Sequence, residues 1–142
     1  MSTIKIYVGC SLTQAPPEFI GAVEAVKASL RHDYEVLDFL GLEHGTAADV
    51  FQWDIRRNVA QCDLFVAICD YPSIGLGYEL ATAIEKLGKP VIALAHQDAK
   101  VTRLILGINA PKFSFQRYQS LREVPILIRT KISELNQSGD IL

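Results

Sequence analysis

No segment limits the possible folds of this chain more than the junction at its centre. The uninterrupted apolar run Leu64-Phe65-Val66-Ala67-Ile68-Cys69 meets the turn Ser73-Ile74-Gly75-Leu76-Gly77, and helical spacing of apolar residues then runs from Leu76 to Leu87. An apolar run bounded by turn residues is the pattern of a strand buried on both faces. Such strands belong to parallel sheets, because parallel neighbours must be joined by crossovers, and those crossovers are usually helices that cover the sheet.

The rest of the chain repeats the alternation. Ile4 to Gly9 reads as a strand, and a polar loop from Cys10 to Pro17 leads into a helix over about Glu18 to Leu30 with Phe19, Val23, Val26 and Leu30 on one face. Tyr34 to Phe39 is a weaker strand. Asp49 is expected to cap a helix that buries Phe51, Ile55, Val59 and Cys62. Val91 to Ala95 forms the fourth strand, Val101 to Leu106 a short helix, Lys112 to Tyr118 the last strand, and Leu121 to Leu135 the final helix. The pattern predicts an α/β fold: a single doubly wound, flavodoxin- or Rossmann-like domain on a five-stranded parallel sheet, spanning residues 1–135, with 136–142 as a loose tail. Ligands of such sheets bind beyond the carboxyl ends of the strands, here at Gly9–Thr13, Asp70–Gly77 and His96–Thr102.

Charge and cysteine content narrow the function. The chain has 142 residues, and 14 basic against 16 acidic residues, with no basic run, argue against extended nucleic-acid binding. Cys10, Cys62 and Cys69 have no metal-ligand spacing and read as reduced core thiols; no signal peptide or membrane-length apolar stretch is visible. A cytoplasmic protein without metal or cofactor is expected. A hydrophobic fraction of 49% leaves room for a subunit interface, so a homodimer or higher homo-oligomer is expected too.

Glu79 stands out chemically. It lies among Leu76, Leu80, Ala83, Ile84 and Leu87, at the margin of the stripe the helix must bury. Following a strand and a glycine-containing turn, it marks a candidate active site.

With Tyr7, Asp54, Ser73, Gly75, Gly77 and Glu79 taken together, the chain resembles the nucleoside 2-deoxyribosyltransferase superfamily, nearest its 2′-deoxynucleoside 5′-monophosphate N-glycosidase branch. The likeness runs from Ile4 to about Tyr118 and is most specific in Pro72-Ser73-Ile74-Gly75-Leu76-Gly77-Tyr78-Glu79, followed by Gly88-Lys89-Pro90 and a strand. The resemblance implies a small-molecule nucleoside or nucleotide substrate and Glu79 as nucleophile, its carboxylate kept ionised by the helix dipole. It implies that Ser73, with the N–H groups of Gly75 and Gly77, receives a 5′-phosphate, and that Ser11 belongs to the same loop cluster. Tyr7 would orient Glu79. Thr102 would reach a neighbouring subunit's site or simply cap its helix.

Asp54 is the natural acid for the leaving base, yet it lies one residue farther from Asp63 than in the relatives, so that a strict count selects Ile55. A one-residue helix adjustment would restore Asp54, with Asn58 as a base-binding residue on the same face and Asp70 as another possible acid. The arginine of the first loop in hydrolase relatives is absent from Cys10-Ser11-Leu12-Thr13-Gln14, with Lys100 or Arg103 as substitutes. His96 lies near the site. The sequence leaves three readings open: hydrolysis of (deoxy)nucleoside 5′-monophosphates through a glycosyl-Glu79 intermediate, deoxyribosyl transfer between bases of unphosphorylated nucleosides, or a non-catalytic nucleotide-binding domain.

Overall fold

The computed structural model describes residues 3–141. Five parallel strands, β1 (Lys5–Cys10), β2 (Glu35–Leu37), β3 (Leu64–Ile68), β4 (Val91–His96) and β5 (Phe113–Tyr118), form one sheet in the order β2-β1-β3-β4-β5. The chain first steps outward from β1 to β2 and then returns past β1 to β3. That reversal places the switch-point crevice at the carboxyl ends of β1 and β3.

Period-2 alternation in the central strands sorts their side chains between two cores. Ile6, Val8 and Cys10 of β1 face α1 (Pro17–Leu30) and α5 (Val124–Ser138), packing with Val23, Leu30, Ile128 and Ile132. Tyr7, Phe65 and Ala67 face the other way. They pack with Ile55 and Val59 from the second helix, and with Leu76, Leu80 and Ala83 from the third. β3 is buried along its whole length, as the central apolar run requires.

The second and third helices flank the crevice, and neither is a regular α-helix throughout. α2 (Ala47–Phe51) continues as a π-helical segment, Gln52–Val59, and α3 (Ile74–Ala81) continues as a π-helical segment, Thr82–Lys86. Between β4 and β5 stands the short α4 (Arg103–Leu106). Gly9 lets α3 come close to β1, since a Cβ there would meet Leu76 Cδ1 at 3.0 Å and Phe65 Cε1 at 3.1 Å.

Two expectations are corrected. Asp49 is not the cap of α2: Thr46 is, its hydroxyl accepting the Asp49 N–H at 3.1 Å while the Asp49 carboxylate accepts the Thr46 N–H at 2.9 Å. This is a capping box, in which the acid belongs at the third helical position. Nor are the described residues of the expected tail, 136–141, loose, because α5 runs to Ser138, Gly139 terminates it at φ 81°, and Ile141 returns to the core at 6% exposure. Leu142 lies outside the described residues.

Candidate active site

Tyr7 reaches the site because β1 alternation turns it toward α2 and α3. Its ring stacks on Phe65 with centroids 5.3 Å apart, and the residue is 1% exposed. Its hydroxyl donates to Glu79 Oε2 at 2.5 Å. Glu79 lies in the second turn of α3, beyond the first-turn N–H groups. The expected stabilisation of its charge by the helix dipole is therefore corrected. Burial dominates and pushes its carboxyl up to about 7; the Tyr7 hydrogen bond opposes the rise and the charge of Asp54 adds to it. Tyr7 is itself held well above the ordinary phenol range, first by burial and then by Glu79 and Asp54.

Asp54 completes this cluster. It is half-buried, its Oδ1 accepts the Leu40 N–H at 3.2 Å, and burial raises its carboxyl while that hydrogen bond lowers it. Ile55, which a strict residue count selects, points into the core at 6% exposure. The π-helical run Gln52–Val59 contains both residues. A widened turn accommodates an extra residue without displacing the next turn, so Asp54 faces the crevice while Val59 and Cys62 stay buried. Phe51 and Tyr78 meet edge to face at 6.4 Å, joining α2 to α3.

The other expected site residues separate into distinct places. Ser73 caps α3, accepting the Leu76 N–H at 3.1 Å. Gly75 lies in the open first turn, but the Gly77 N–H is already donated to the Ser73 carbonyl at 3.1 Å and is not available to a ligand. Ser73 and Gly77 line a cleft of about 190 Å³ together with Leu76, Leu80, Lys100, Thr102 and Ile105; Glu79 is not part of its wall. Thr102 caps α4 through the Leu104 N–H at 3.3 Å, and Arg103 is exposed beside it. Ser11 is fully buried and holds its own loop by accepting the Gln14 N–H at 3.2 Å.

Asp70 and His96 belong elsewhere. Asp70 accepts the Tyr118 hydroxyl at 2.5 Å and the His96 N–H at 3.2 Å, tying together the ends of β3, β4 and β5. His96 Nδ1 accepts the Asp98 N–H at 3.1 Å. Asn58, expected to contact the base, is fully buried and spends its amide on the Asp38 carbonyl and on Arg57. Spacing put Asn58 on the right face but could not show its depth. Asp38 and the Leu40 N–H were not expected at the site, since main-chain roles leave no trace in residue type. Among the described residues, no three or more His, Cys, Asp or Glu side chains are placed to hold a metal ion, and no helix is long and apolar enough to cross a membrane.

This chain is 32% identical over 129 residues to a Thermofilum pendens protein named "Putative 2'-deoxynucleoside 5'-phosphate N-hydrolase 1", an alignment covering 84% of this chain and 89% of the relative. It belongs to the 2′-deoxynucleoside 5′-phosphate N-hydrolase family. A protein of the same name from Syntrophotalea carbinolica is 36% identical over 76 residues, covering 54% of this chain and 53% of the relative. No family model matches.

Among solved structures, the Clostridium botulinum CMP N-glycosidase BcmB superposes with a TM-score of 0.67 at 19% identity, covering 88% of this chain and 98% of its own. A Francisella novicida lysine decarboxylase, LdcF, aligns over 93% of this chain but only 17% of its own, with a TM-score of 0.52 and 15% identity. The first match shows that this member of the N-hydrolase family has the α/β architecture of an N-glycosidase along nearly its whole length. The second shows how widely the scaffold is shared, and the fold by itself names no reaction.

Proposed function

We propose that this chain hydrolyses the N-glycosidic bond of a 2′-deoxynucleoside 5′-monophosphate, releasing free base and the sugar 5-phosphate. The observation that carries the reading is the 2.5 Å hydrogen bond from buried Tyr7 to Glu79 with Asp54 beside it, on a chain whose relatives bear the N-hydrolase name. Glu79, ionised, attacks the anomeric carbon; the glycosidic pair passes to the base nitrogen, which takes a proton from Asp54. Asp54, now a carboxylate, accepts a proton from water as that water attacks the anomeric carbon and frees Glu79. Tyr7 occupies Oε2 and leaves Oε1 for the sugar.

The 5′-phosphate belongs at the opening of α3. Ser73 caps that helix, and the N–H groups of Ile74 and Gly75 have no intrahelical acceptor by position. A second reading, transfer of deoxyribose between bases of unphosphorylated nucleosides, is favoured by the loop after β1, where Ser11-Leu12-Thr13-Gln14 carries no cation for a phosphate.

The test is base release from a panel of nucleosides and 5′-monophosphates, with and without an acceptor base, beside Glu79→Ala. Release from monophosphates without acceptor, abolished in Glu79→Ala, supports hydrolysis; new nucleoside formed only with acceptor supports transfer. No turnover anywhere supports a non-catalytic binding domain and defeats both, and turnover surviving in Glu79→Ala removes the nucleophile.

A further inference from the structure

Asn58 is 0% exposed, a polar amide enclosed by the packing of α2 against the sheet. Burying such a group costs stability unless its hydrogen bonds are met. Here they are met by main chain and a neighbour: Nδ2 donates to the Asp38 carbonyl at 2.8 Å, and Oδ1 accepts from Arg57 Nη1 at 2.8 Å. The same Asp38 carbonyl accepts Trp53 Nε1 at 2.7 Å, and the Arg57 guanidinium lies 4.1 Å from the Trp53 ring centroid. Two side chains of the π-helical segment thus converge on one carbonyl oxygen.

That carbonyl begins a short irregular segment, Asp38 to Leu40, after β2. Its far side is gripped from α1. The Asp38 carboxylate pairs with Arg31 at 2.7 Å and with buried Lys27 at 3.4 Å, while Lys27 Nζ sits 4.0 Å over the Phe39 ring. The segment's other end carries the Leu40 N–H that Asp54 Oδ1 accepts. With Oδ1 accepting the Leu40 N–H, Oδ2 is the oxygen left to carry the proton when Asp54 is protonated.

We infer that Asn58, together with Trp53, is a positioning residue for the leaving-group acid: it fixes the Asp38–Leu40 backbone so that Leu40 holds Asp54 with Oδ2 turned toward the departing base. The inference rests on the assignment of Asp54 as acid in the proposed reaction. In that step the Oδ2 proton moves to the base nitrogen as that nitrogen receives the glycosidic electron pair.

Two substrates test it. One is the best nucleoside 5′-monophosphate from the panel, whose base must be protonated; the other is 4-nitrophenyl 2-deoxyribofuranoside 5-phosphate, whose phenolate departs without a proton. Asn58→Leu is expected to lower kcat on the nucleotide about 10- to 100-fold with KM within about 3-fold, because a displaced acid of about 1 Å costs rate and not binding. On the aryl substrate kcat/KM, which reports formation of the glycosyl-Glu79 and not the later water attack that uses Asp54 as base, stays within about 3-fold of the parent, since that first step needs no acid there. Trp53→Phe removes the second donor at a residue 37% exposed, where folding is not at stake, and is expected to show the same split at about 3- to 10-fold. Asp54→Asn shows the split in kcat/KM in full, and adding Asn58→Leu to it costs nothing more in that quantity.

Equal loss of kcat/KM on both substrates in Asn58→Leu and Trp53→Phe, or losses that multiply in the double variant, overturn the inference. If Asn58→Leu does not fold, Trp53→Phe decides alone, and its failure to discriminate between the substrates is the overturning result. Should Asp54→Asn itself fail to discriminate, the acid assignment falls and this inference with it. Discrimination by Asp54→Asn without discrimination by the other two leaves the acid in place and removes only its positioning.

Discussion

Glu79 is held between two opposing influences, and the balance has measurable consequences. Burial and Asp54 raise its carboxyl to about 7 from the ordinary 4.5, against the Tyr7 hydrogen bond. In the proposed reaction Glu79 must be ionised to attack, so kcat/KM is expected to rise with pH through an acid limb near 7. Tyr7→Phe removes the one influence that lowers this value. The limb is expected to move above 7, with kcat/KM down about 10- to 100-fold at neutral pH, as the loss of a hydrogen bond to a charged group warrants; a pH–rate profile checks both. The same shift acts on stability with a definite sign. The folded state holds this proton more tightly than the unfolded chain, so the stabilisation is complete below pH 4.5 and disappears as pH rises through 7. Glu79→Gln keeps a neutral side chain at every pH. It is expected to match the parent near pH 4 and exceed it at pH 8 by on the order of 2 kcal/mol, discounted from the full shift because Glu79 is partly exposed. Urea denaturation at the two pH values measures this, and a parent more stable at pH 8 would contradict it.

At the scale of elements, the start of α3 separates capping from substrate binding. Ser73 accepts the Leu76 N–H, and aspartate does this as well as serine. Ser73→Asp is therefore expected to leave the melting temperature within about 2 °C, since surface changes that keep a cap stay within about half a kcal/mol. Next to a bound phosphate, however, the new charge is repulsive. The variant is expected to lose about 100-fold in kcat/KM on monophosphates and little on nucleosides, the scale of a like-charge contact of several kcal/mol. Equal losses on both would move the phosphate away from this helix. The π-helical run after α2 shows what element reading from sequence can miss. Asp54 and Ile55 exchange places on a face with one added residue, and apolar spacing in Gln52–Val59 is too short to distinguish a regular turn from a widened one.

Across the whole molecule, the α1–α5 core extends to the last described residue. Ile141 joins the cluster of Ile128, Ile132 and Leu135 after the turn at Gly139. Ile141→Ala is expected to lower unfolding free energy by about 1–3 kcal/mol, less than a mid-helix core position because Ile141 lies outside α5, beyond the turn at Gly139; a chemical denaturation midpoint equal to the parent's would show the segment to be dispensable. The alternation of apolar strands with helical stripes determined the parallel α/β sheet, because a strand buried on both faces admits few other arrangements. The position of Glu79 was legible for a related reason: a carboxylate at the edge of a buried stripe conflicts with burial unless a partner meets it, which Tyr7 does. Tyr7 entered through the family resemblance, since a tyrosine in a buried strand means little by itself. What only the tertiary structure decided was distance and depth. It joined Tyr7 to Glu79 across the sheet and helix, widened α2 to present Asp54, and spent Asn58 and Asp70 on main chain and strand ends. It also moved Glu79 out of reach of the α3 N-terminus. Hydrogen-bond partners that are peptide groups, and the degree to which a side chain is desolvated, depend on how distant segments meet, and no local pattern of residue types encodes that meeting.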